Sequence, residues 1–342
     1  MPGTLQGYNI SSITAAVRMW FNDVAEEISN QLVYPQLGYT DHSPDTDEFT
    51  LEGLTGPTRA VLTGETEKYK EVDLYRGWPV TVKLHKLTAS LSLSEESMHW
   101  ILKAVNGGKQ LSEVVSEDQL RETANSLNLG LDAEAADTFY LGFGATSSVN
   151  GGTGSVGTVG NSENLFQAHT LRKPGAATVR NTFSDNHWPL TSPYLSDGID
   201  IMDRYRGPND VEFNAVKNLR LIVAKGENRT TADRIVNSEY GPLGTDLGLN
   251  PSSKSSLSRK GINLDYVVSP HIPQATYELY WFLEDLDRTK RRLMMAVGWK
   301  PRLNSQEEVE SGQKFNYGSA YFRTVKRSFE DTFGSTGTGN PI

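Results

Sequence analysis

The stretch Leu87-Thr88-Ala89-Ser90-Leu91-Ser92-Leu93-Ser94-Glu95-Glu96 combines a strand-like pattern with a helix start signal that follows it at once. Apolar and polar residues alternate as far as Leu93, which is the period-two pattern of a strand with one buried face. Ser94 can then cap a helix, and Glu95 and Glu96 place negative charge at the positive end of its dipole. The sequence therefore predicts a strand that leads directly into a helix.

Upstream, the alternation extends back to residue 80, and a second alternating run covers residues 67–75. Between them, Arg76-Gly77-Trp78-Pro79 is typical of a turn, so the two runs are predicted to form a hairpin. The buried face changes near His85-Lys86, which indicates a bulge or the point where the hairpin enters a domain. Charged residues dominate the hairpin near its tip, and we expect such a hairpin to project from the body of the protein.

The N-terminal part of the chain is predicted to be an amphipathic helix over residues 10–32. Its apolar residues recur at helical spacing, and Trp20 and Phe21 lie on that stripe. Such a stripe needs a groove to lie in, which belongs either to the same chain or to a neighbour.

Two helices are predicted after the strand. A short one runs from Ser94 to about Val105 and stops before Asn106-Gly107-Gly108. A long one covers about 112–141, and Asn128 and Gly130 interrupt it, so a kink is expected there.

Residues 144–162 are rich in Gly, Ser and Thr and are typical of a flexible loop or domain joint. A mixed region follows. It is predicted to contain helices at 197–206 and 230–237, and strands at 219–223, 262–268, 277–283, 293–297 and 314–329, with Trp281 and Phe282 in the core. Residues 334–342 are expected to be disordered.

The composition excludes several classes of protein. The 342 residues include no cysteine, so there is neither a disulfide framework nor a thiolate metal site. The six histidines are scattered, which argues against zinc. The net charge of -9 argues against tight, sequence-specific nucleic-acid binding, although a protein can enclose nucleic acid without gripping it. No signal peptide and no apolar run long enough to cross a membrane are visible.

The order of the predicted elements resembles that of the major capsid proteins of tailed bacteriophages, which have the Hong Kong 97-type fold. That order is an N-terminal arm, a charged hairpin, a helix that starts at Ser-Glu-Glu, a long helix, a Gly/Ser-rich joint, an α/β region and a returning strand. The stretch 87–96 is similar to the strand-into-helix step at the base of the family's extension loop. Leu219–Val223 with the following helix is similar to part of the family's axial domain.

The resemblance implies an α+β fold with four parts. Residues 1–57 would form the N-terminal arm with its helix, and 58–90 the extension loop that lies over an adjacent subunit. Residues 91–145 and 301–342 would form the peripheral domain with the long spine helix. Residues 146–300 would form the axial domain.

The implied function is self-assembly, through hexamers and pentamers, into an icosahedral shell that encloses double-stranded DNA. Scaffolding and portal proteins, and a decoration protein, are the expected partners, and the expected location is the virion, assembled in the bacterial cytoplasm. No catalytic residue, metal or cofactor is expected. The residues expected at the assembly interface are Arg76, Trp78, Lys68, Lys70, Glu71, Trp20 and Phe21. Asn128 and Gly130 are expected to form a hinge.

Enzymatic alternatives have weaker support. Gly152–Gly157 matches the spacing of a dinucleotide-binding loop but lacks the strand, the helix and the distant acid of that motif. Ser184-Asp185-Asn186-His187 contains the residue types of a catalytic triad but no nucleophile elbow. The basic run 288–292 is predicted to be a solvated turn, with a cluster that faces DNA or a neighbour as the alternative. Two other functions therefore stay open: an encapsulin-like compartment shell and a soluble α/β nucleotide-binding enzyme.

Overall fold

The computed structural model describes residues 10–51, 79–92, 95–110, 117–144, 159, 163–171, 176, 178–184, 188–207, 210, 212–237, 261–289, 292–308 and 313–337. The five longer helices are α1 (Ile10–Ser29), α2 (Glu95–Asn106), α3 (Glu117–Tyr140), α4 (Ser192–Asp203) and α5 (Glu227–Asn237). The strands are β1 (Thr40–His42), β2 (Glu48–Leu51), β3 (Val80–Lys83), β4 (His85–Ser92), β5 (Ala168–Thr170), β6 (Thr178–Arg180), β7 (Asn218–Ala224), β8 (Asn263–Ser269), β9 (Trp281–Asp285), β10 (Leu293–Glu308), β11 (Gln313–Lys326) and β12 (Thr332–Ser335). This mixture confirms the predicted α+β class.

The first sheet joins distant parts of the chain in the order β1-β10-β11-β4. Its centre is the long antiparallel pair β10–β11, and β4 pairs with β11 so that Ala320 lies opposite Leu87. Alternation along β10 gives the sheet two buried faces. Leu293 and Met295 join the large core on the side of α3, whereas Met294 and Ala296 join a separate cluster on the other side.

The second sheet has the order β12-β9-β7-β8. Strand β7 is central and runs parallel to β8 and antiparallel to β9. Trp281 and Phe282 of β9 are both fully buried, one toward each face, as the sequence predicts. The core between helices and sheets is continuous from α3 to this sheet.

Helices α1 and α3 pack on one face of the first sheet. The predicted apolar stripe of α3 is buried at every described position, which are Leu120, Ala124, Leu127, Leu131, Ala135 and Phe139. On α1, Val17, Phe21, Val24 and Ile28 are buried against the N-terminal half of α3. The stripe of each helix therefore finds its groove within the same chain.

Strand β3 pairs with β2, residues 48–51, whereas its predicted partner, residues 67–75, lies outside the described part of the chain. Two other predictions about strands need correction. Of the predicted strand 277–283, Tyr277 ends the short helix Gln274–Tyr277, residues 278–280 form no strand, and β9 begins only at Trp281. Residues 334–337, expected to be disordered, include part of β12 and are buried, because β12 completes the second sheet beside β9.

The expected boundary between axial and peripheral domains at residue 300 falls inside β10, which belongs to the first sheet from residue 293 onward. Conversely, β12 lies in the second sheet although it follows β11 closely in the chain. The chain thus passes from the second sheet to the first between β9 and β10. It returns to the second sheet between β11 and β12, about forty residues after the start of β10.

Candidate assembly surfaces

Most of the predicted interface belongs to the hairpin tip. Lys68, Lys70, Glu71, Arg76 and Trp78 lie in residues 52–78, outside the described residues. What the structure describes is the base of that loop, the two-stranded ribbon β2–β3. Leu51 pairs with Val80, so residues 52–78 start and finish at the end of the ribbon that is remote from β4.

The ribbon is amphipathic. Val82 and Leu84 are buried against Met294, Ala296 and Val325 of the first sheet. The opposite face is exposed and carries Glu48, Thr50, Thr81 and Lys83. The ribbon thus lies on the face of the first sheet that α3 leaves open, and its packing fixes the direction in which the loop departs.

Trp20 and Phe21 separate into different environments. Phe21 is fully buried in the chain's own core with Val17, Leu120 and Leu127. It is therefore not accessible to a second subunit in this conformation. Trp20 is only partly buried at the edge of the same cluster and keeps a face that a partner can cover.

Asn128 and Gly130 lie inside an uninterrupted α3, without a break in the helix. The buried amide of Asn128 donates to the carbonyl of Ala25 on α1 at 3.4 Å. At Gly130, a Cβ atom would lie 2.2 Å from Leu87 Cδ2, so glycine lets β4 approach the helix closely. Both residues have a packing role in this state, and their role as a hinge stays a prediction.

A buried polar network fixes α3 to the first sheet. The Glu134 carboxylate accepts from the Thr324 backbone N–H at 2.8 Å and contacts His85 Nε2 at 2.7 Å. Burial by itself would raise the pKa of Glu134, but the hydrogen bond and charge of His85, the charge of Arg323 and the Thr324 N–H lower it below its usual value. Glu134 is therefore a buried anion that holds β4, β11 and α3 together.

A second buried carboxylate fixes the N-terminal segment to α3. Asp132 accepts hydrogen bonds from the backbone N–H groups of Val33 and Tyr34, at 3.0 and 2.8 Å. Burial raises the pKa of Asp132, and these two N–H donors oppose the effect without cancelling it. Neither carboxylate was recognised in the sequence, because an acid on a helix normally indicates a solvated face.

The basic run 288–292 is neither a solvated turn nor a free cationic cluster at its described positions. Arg288 forms an ion pair with buried Asp285 at 2.9 Å, and Arg292 forms one with buried Glu330 at 3.0 Å. Both guanidinium groups also lie over the ring of Phe213. These arginines hold together the crossing between the two sheets, and Lys290 and Arg291 lie outside the described residues.

Helix α2 carries an exposed surface that the sequence did not indicate. Trp100 is 68% exposed, and Lys103 Nζ lies 5.3 Å from the centre of its ring. With His99, Asn106 and Gly107, these side chains line a shallow depression. The sequence feature that could have indicated this surface is the position of Trp100, which lies next to the buried Ile101 and therefore off the apolar face of the helix.

The candidate catalytic motifs fall mostly outside the described part of the chain. Gly152–Gly157 and Asp185–His187 lie outside the described residues, so the two motifs remain untested. Within the described residues, no three His, Asp or Glu side chains are placed to hold a metal ion. None of the helices in that same part of the chain has the length and hydrophobicity needed to cross a bilayer.

No protein-family model and no curated protein matches the chain. Similar solved structures include the capsid of Myoviridae phage XM1, 12% identical over 90% of this chain and 92% of that chain, with a TM-score of 0.47. The capsid of an empty GTA particle is 10% identical over 88% of each chain, with a TM-score of 0.47. A virus-like particle from Pyrococcus furiosus is 9% identical over 94% of this chain and 98% of that chain, with a TM-score of 0.46. Similarities of this size do not by themselves assign a function or a partner to the chain.

Proposed function

We propose that this chain is the major capsid subunit of a tailed bacteriophage and assembles, through hexamers and pentamers, into an icosahedral shell around double-stranded DNA. The observation that carries the proposal is the ribbon β2–β3. It lies on one face of the first sheet, with the chain ends that lead into residues 52–78 at its far end, while α1 and α3 cover the opposite face.

This arrangement suits a subunit that reaches over its neighbour. The loop between Leu51 and Val80 carries charges of both signs, among them Lys68, Lys70 and Glu71. Such a segment gains little by folding onto its own chain, because exposed ion pairs contribute little to stability. Against a neighbour it adds a contact that is repeated at every subunit of a closed shell, so each contact can be weak.

The acidic composition suits a shell that encloses DNA. The chain has 42 acidic and 33 basic residues, so it has few surplus positive charges to neutralise DNA phosphates. Packaged DNA would therefore be contained and not tightly bound. A scaffolding protein, a portal and a decoration protein are the partners that such a shell would use, and the virion, assembled in the host cytoplasm, is its proposed location.

The loop can be tested separately from the fold. The double variant Arg76→Ala/Trp78→Ala is expected to leave a folded chain that assembles poorly, because it removes two large side chains from the loop. Thr50→Ala/Thr81→Ala is the matched control, since it removes two exposed side chains of the ribbon base that contact each other at 3.2 Å. Normal shells from the Arg76/Trp78 variant would contradict the role of the loop.

The contents of the shell test the remaining part of the proposal. Particles purified from the host are expected to protect double-stranded DNA from nuclease. Particles that instead contain a protein cargo and no DNA would favour the compartment-shell function.

A further inference from the structure

The turn between β11 and β12 holds a lysine and an aspartate in buried contact. Lys326 Nζ lies 2.5 Å from Asp331 Oδ1, and both side chains are fully inaccessible to solvent. The second carboxylate oxygen, Oδ2, accepts from the Thr289 hydroxyl at 3.1 Å. The two side chains are therefore held in fixed orientations, with the amine against the carboxyl group.

A third buried group faces this pair. Glu284 of β9 lies in register with Thr332, the residue after Asp331. Its side chain is fully buried, and among the described residues neither carboxyl oxygen is within hydrogen-bond geometry of a donor, because the nearby Thr289 hydroxyl contacts the Asp285 carbonyl and Asp331 Oδ2 instead. Gly38 approaches so closely that a Cβ atom there would lie 2.5 Å from Glu284 Oε1.

An ordinary ion pair explains this arrangement poorly. Burying a lysine and a carboxylate together costs free energy of desolvation that their attraction often fails to recover. Apart from Lys326, the Thr289 hydroxyl and the Asp285 backbone N–H are the polar groups of the described residues that contact Asp331, and Phe329 and Phe333, close to it in the chain, are buried. In such an environment uncharged groups are strongly favoured over charged ones.

We propose that Lys326 and Asp331 condense to form an intrachain isopeptide bond, with Glu284 as the group that transfers the proton. The bond would close the turn that carries the chain from the first sheet to the second. It is independent of the proposed function, because it forms within one chain and needs no assembly.

The reaction balances without an external reagent. The Lys326 ammonium gives one proton to the Asp331 carboxylate, which leaves a neutral amine and a carboxylic acid. The amine nitrogen attacks Cγ of Asp331 and forms the C–N bond. Glu284 takes a proton from that nitrogen and returns its own to the departing hydroxyl group. The C–O bond breaks, one water leaves, and Glu284 ends in its starting protonation state.

Proximity and burial supply the driving force. Well-oriented groups within one molecule react with effective concentrations of roughly 10⁵ M or more, which offsets the unfavourable equilibrium of amide formation in water. The product also replaces two buried charges with one neutral amide.

The protonation of Glu284 is consistent with this role. Burial raises the pKa of Glu284 to about 8, the charge of Lys326 opposes the shift and the charge of Asp331 adds to it. Thr289 and Arg220 also face the carboxyl group and lower its pKa, and the ring of Tyr39 lies near it. Near neutral pH the carboxyl group is thus mostly protonated and able to donate.

The test is the intact mass of the denatured full-length chain. The wild type is expected to be lighter than its sequence by one water, and peptide mapping is expected to join the peptides that contain Lys326 and Asp331. Trypsin should then fail to cleave after Lys326. A wild-type mass equal to that of the sequence, or a water loss that maps elsewhere, would overturn the proposal and leave an ordinary ion pair.

Three variants sharpen the test. Asp331→Asn is expected to condense with loss of ammonia and to reach the same final mass as the cross-linked wild type, because the product is identical. Lys326→Arg keeps the charge pair but is expected to retain its full mass. Glu284→Gln keeps the shape of the side chain and is expected to slow the condensation, and an unchanged rate would exclude Glu284 as the proton carrier.

Discussion

Replacing Glu284 by glutamine should change how the stability of the chain depends on pH. Glu284 is fully buried in β9, and burial raises the pKa of its carboxyl group to about 8 from an ordinary value of 4.5. In the unfolded chain the same group ionises near its ordinary value. Between these two values the folded state binds the extra proton, so the stability of the wild type falls as the pH rises. Glutamine cannot ionise and removes this dependence.

The size of the effect follows from the two pKa values. They differ by about 3.5, and one pKa unit corresponds to about 1.4 kcal/mol, so the full effect approaches roughly 5 kcal/mol. Neither titration is complete within the interval from about pH 5 to about pH 8. The change in the free energy of unfolding across that interval is therefore smaller, roughly 3 kcal/mol. The wild type should therefore lose about this much stability relative to Glu284→Gln over that interval.

Urea unfolding of the unassembled chain, with Lys326→Arg in every protein compared so that none can condense, measures this difference by tryptophan fluorescence, because Trp281 is buried in the same strand as Glu284. Glu48→Gln is the matched control, since it removes an exposed carboxyl group of the ribbon, keeps Glu284 and should lose stability with rising pH as the wild type does. A difference in free energy of unfolding between wild type and Glu284→Gln that stays constant at all pH values would refute the reasoning. A wild type that becomes more stable relative to Glu284→Gln as the pH rises would refute it too.

Three further substitutions test the other buried contacts in the unassembled chain. Phe21→Ala should cost about 3–5 kcal/mol of stability, because it leaves a cavity in the core, and loss of assembly with unchanged stability would identify Phe21 as an interface residue instead. Glu134→Ala should destabilise the chain by roughly 3–5 kcal/mol in denaturant unfolding, because the Thr324 N–H loses its acceptor, and an effect below about 1 kcal/mol would contradict the network. Arg292→Glu places a second negative charge beside buried Glu330 and should lower the thermal midpoint, whereas a solvated arginine would leave the midpoint unchanged.

Local periodicity predicted the helices well. The apolar positions of α1 and α3 recur every three or four residues, and each described stripe position on α3 is buried. The strand β4, which ends at Ser92, and the helix α2, which begins at Glu95, were also predicted from adjacent residues. In these elements the residues that decide the structure are neighbours in the sequence.

Pairing between strands that are distant in the sequence was harder to predict. Strand β3 alternates clearly, but alternation does not reveal whether its partner is residues 67–75 or β2, and β2 is only four residues long. Strand β10 continues to Glu308 through polar residues, because its backbone pairs with β11 beyond the apolar run that marks its start. Such contacts depend on which chain segments meet and not on the pattern within either one.

The candidate surfaces could be predicted only in part. A charged hairpin indicates a projecting loop, and the structure supplies its base. The buried ionisable residues Glu134, Glu284, Lys326 and Asp331 could not be found in the sequence, since a charged residue normally indicates a solvated face. Glu134 contacts Thr324 of β11, and Asp331 contacts Thr289, in both cases a residue distant in the sequence.

Electron microscopy of the purified full-length chain, with size-exclusion chromatography of the same sample, tests the proposal of a capsid subunit most directly. We expect closed shells or rings of subunits to form as the protein concentration rises. A chain that stays a monomer at every concentration, with and without a crowding agent, would contradict it.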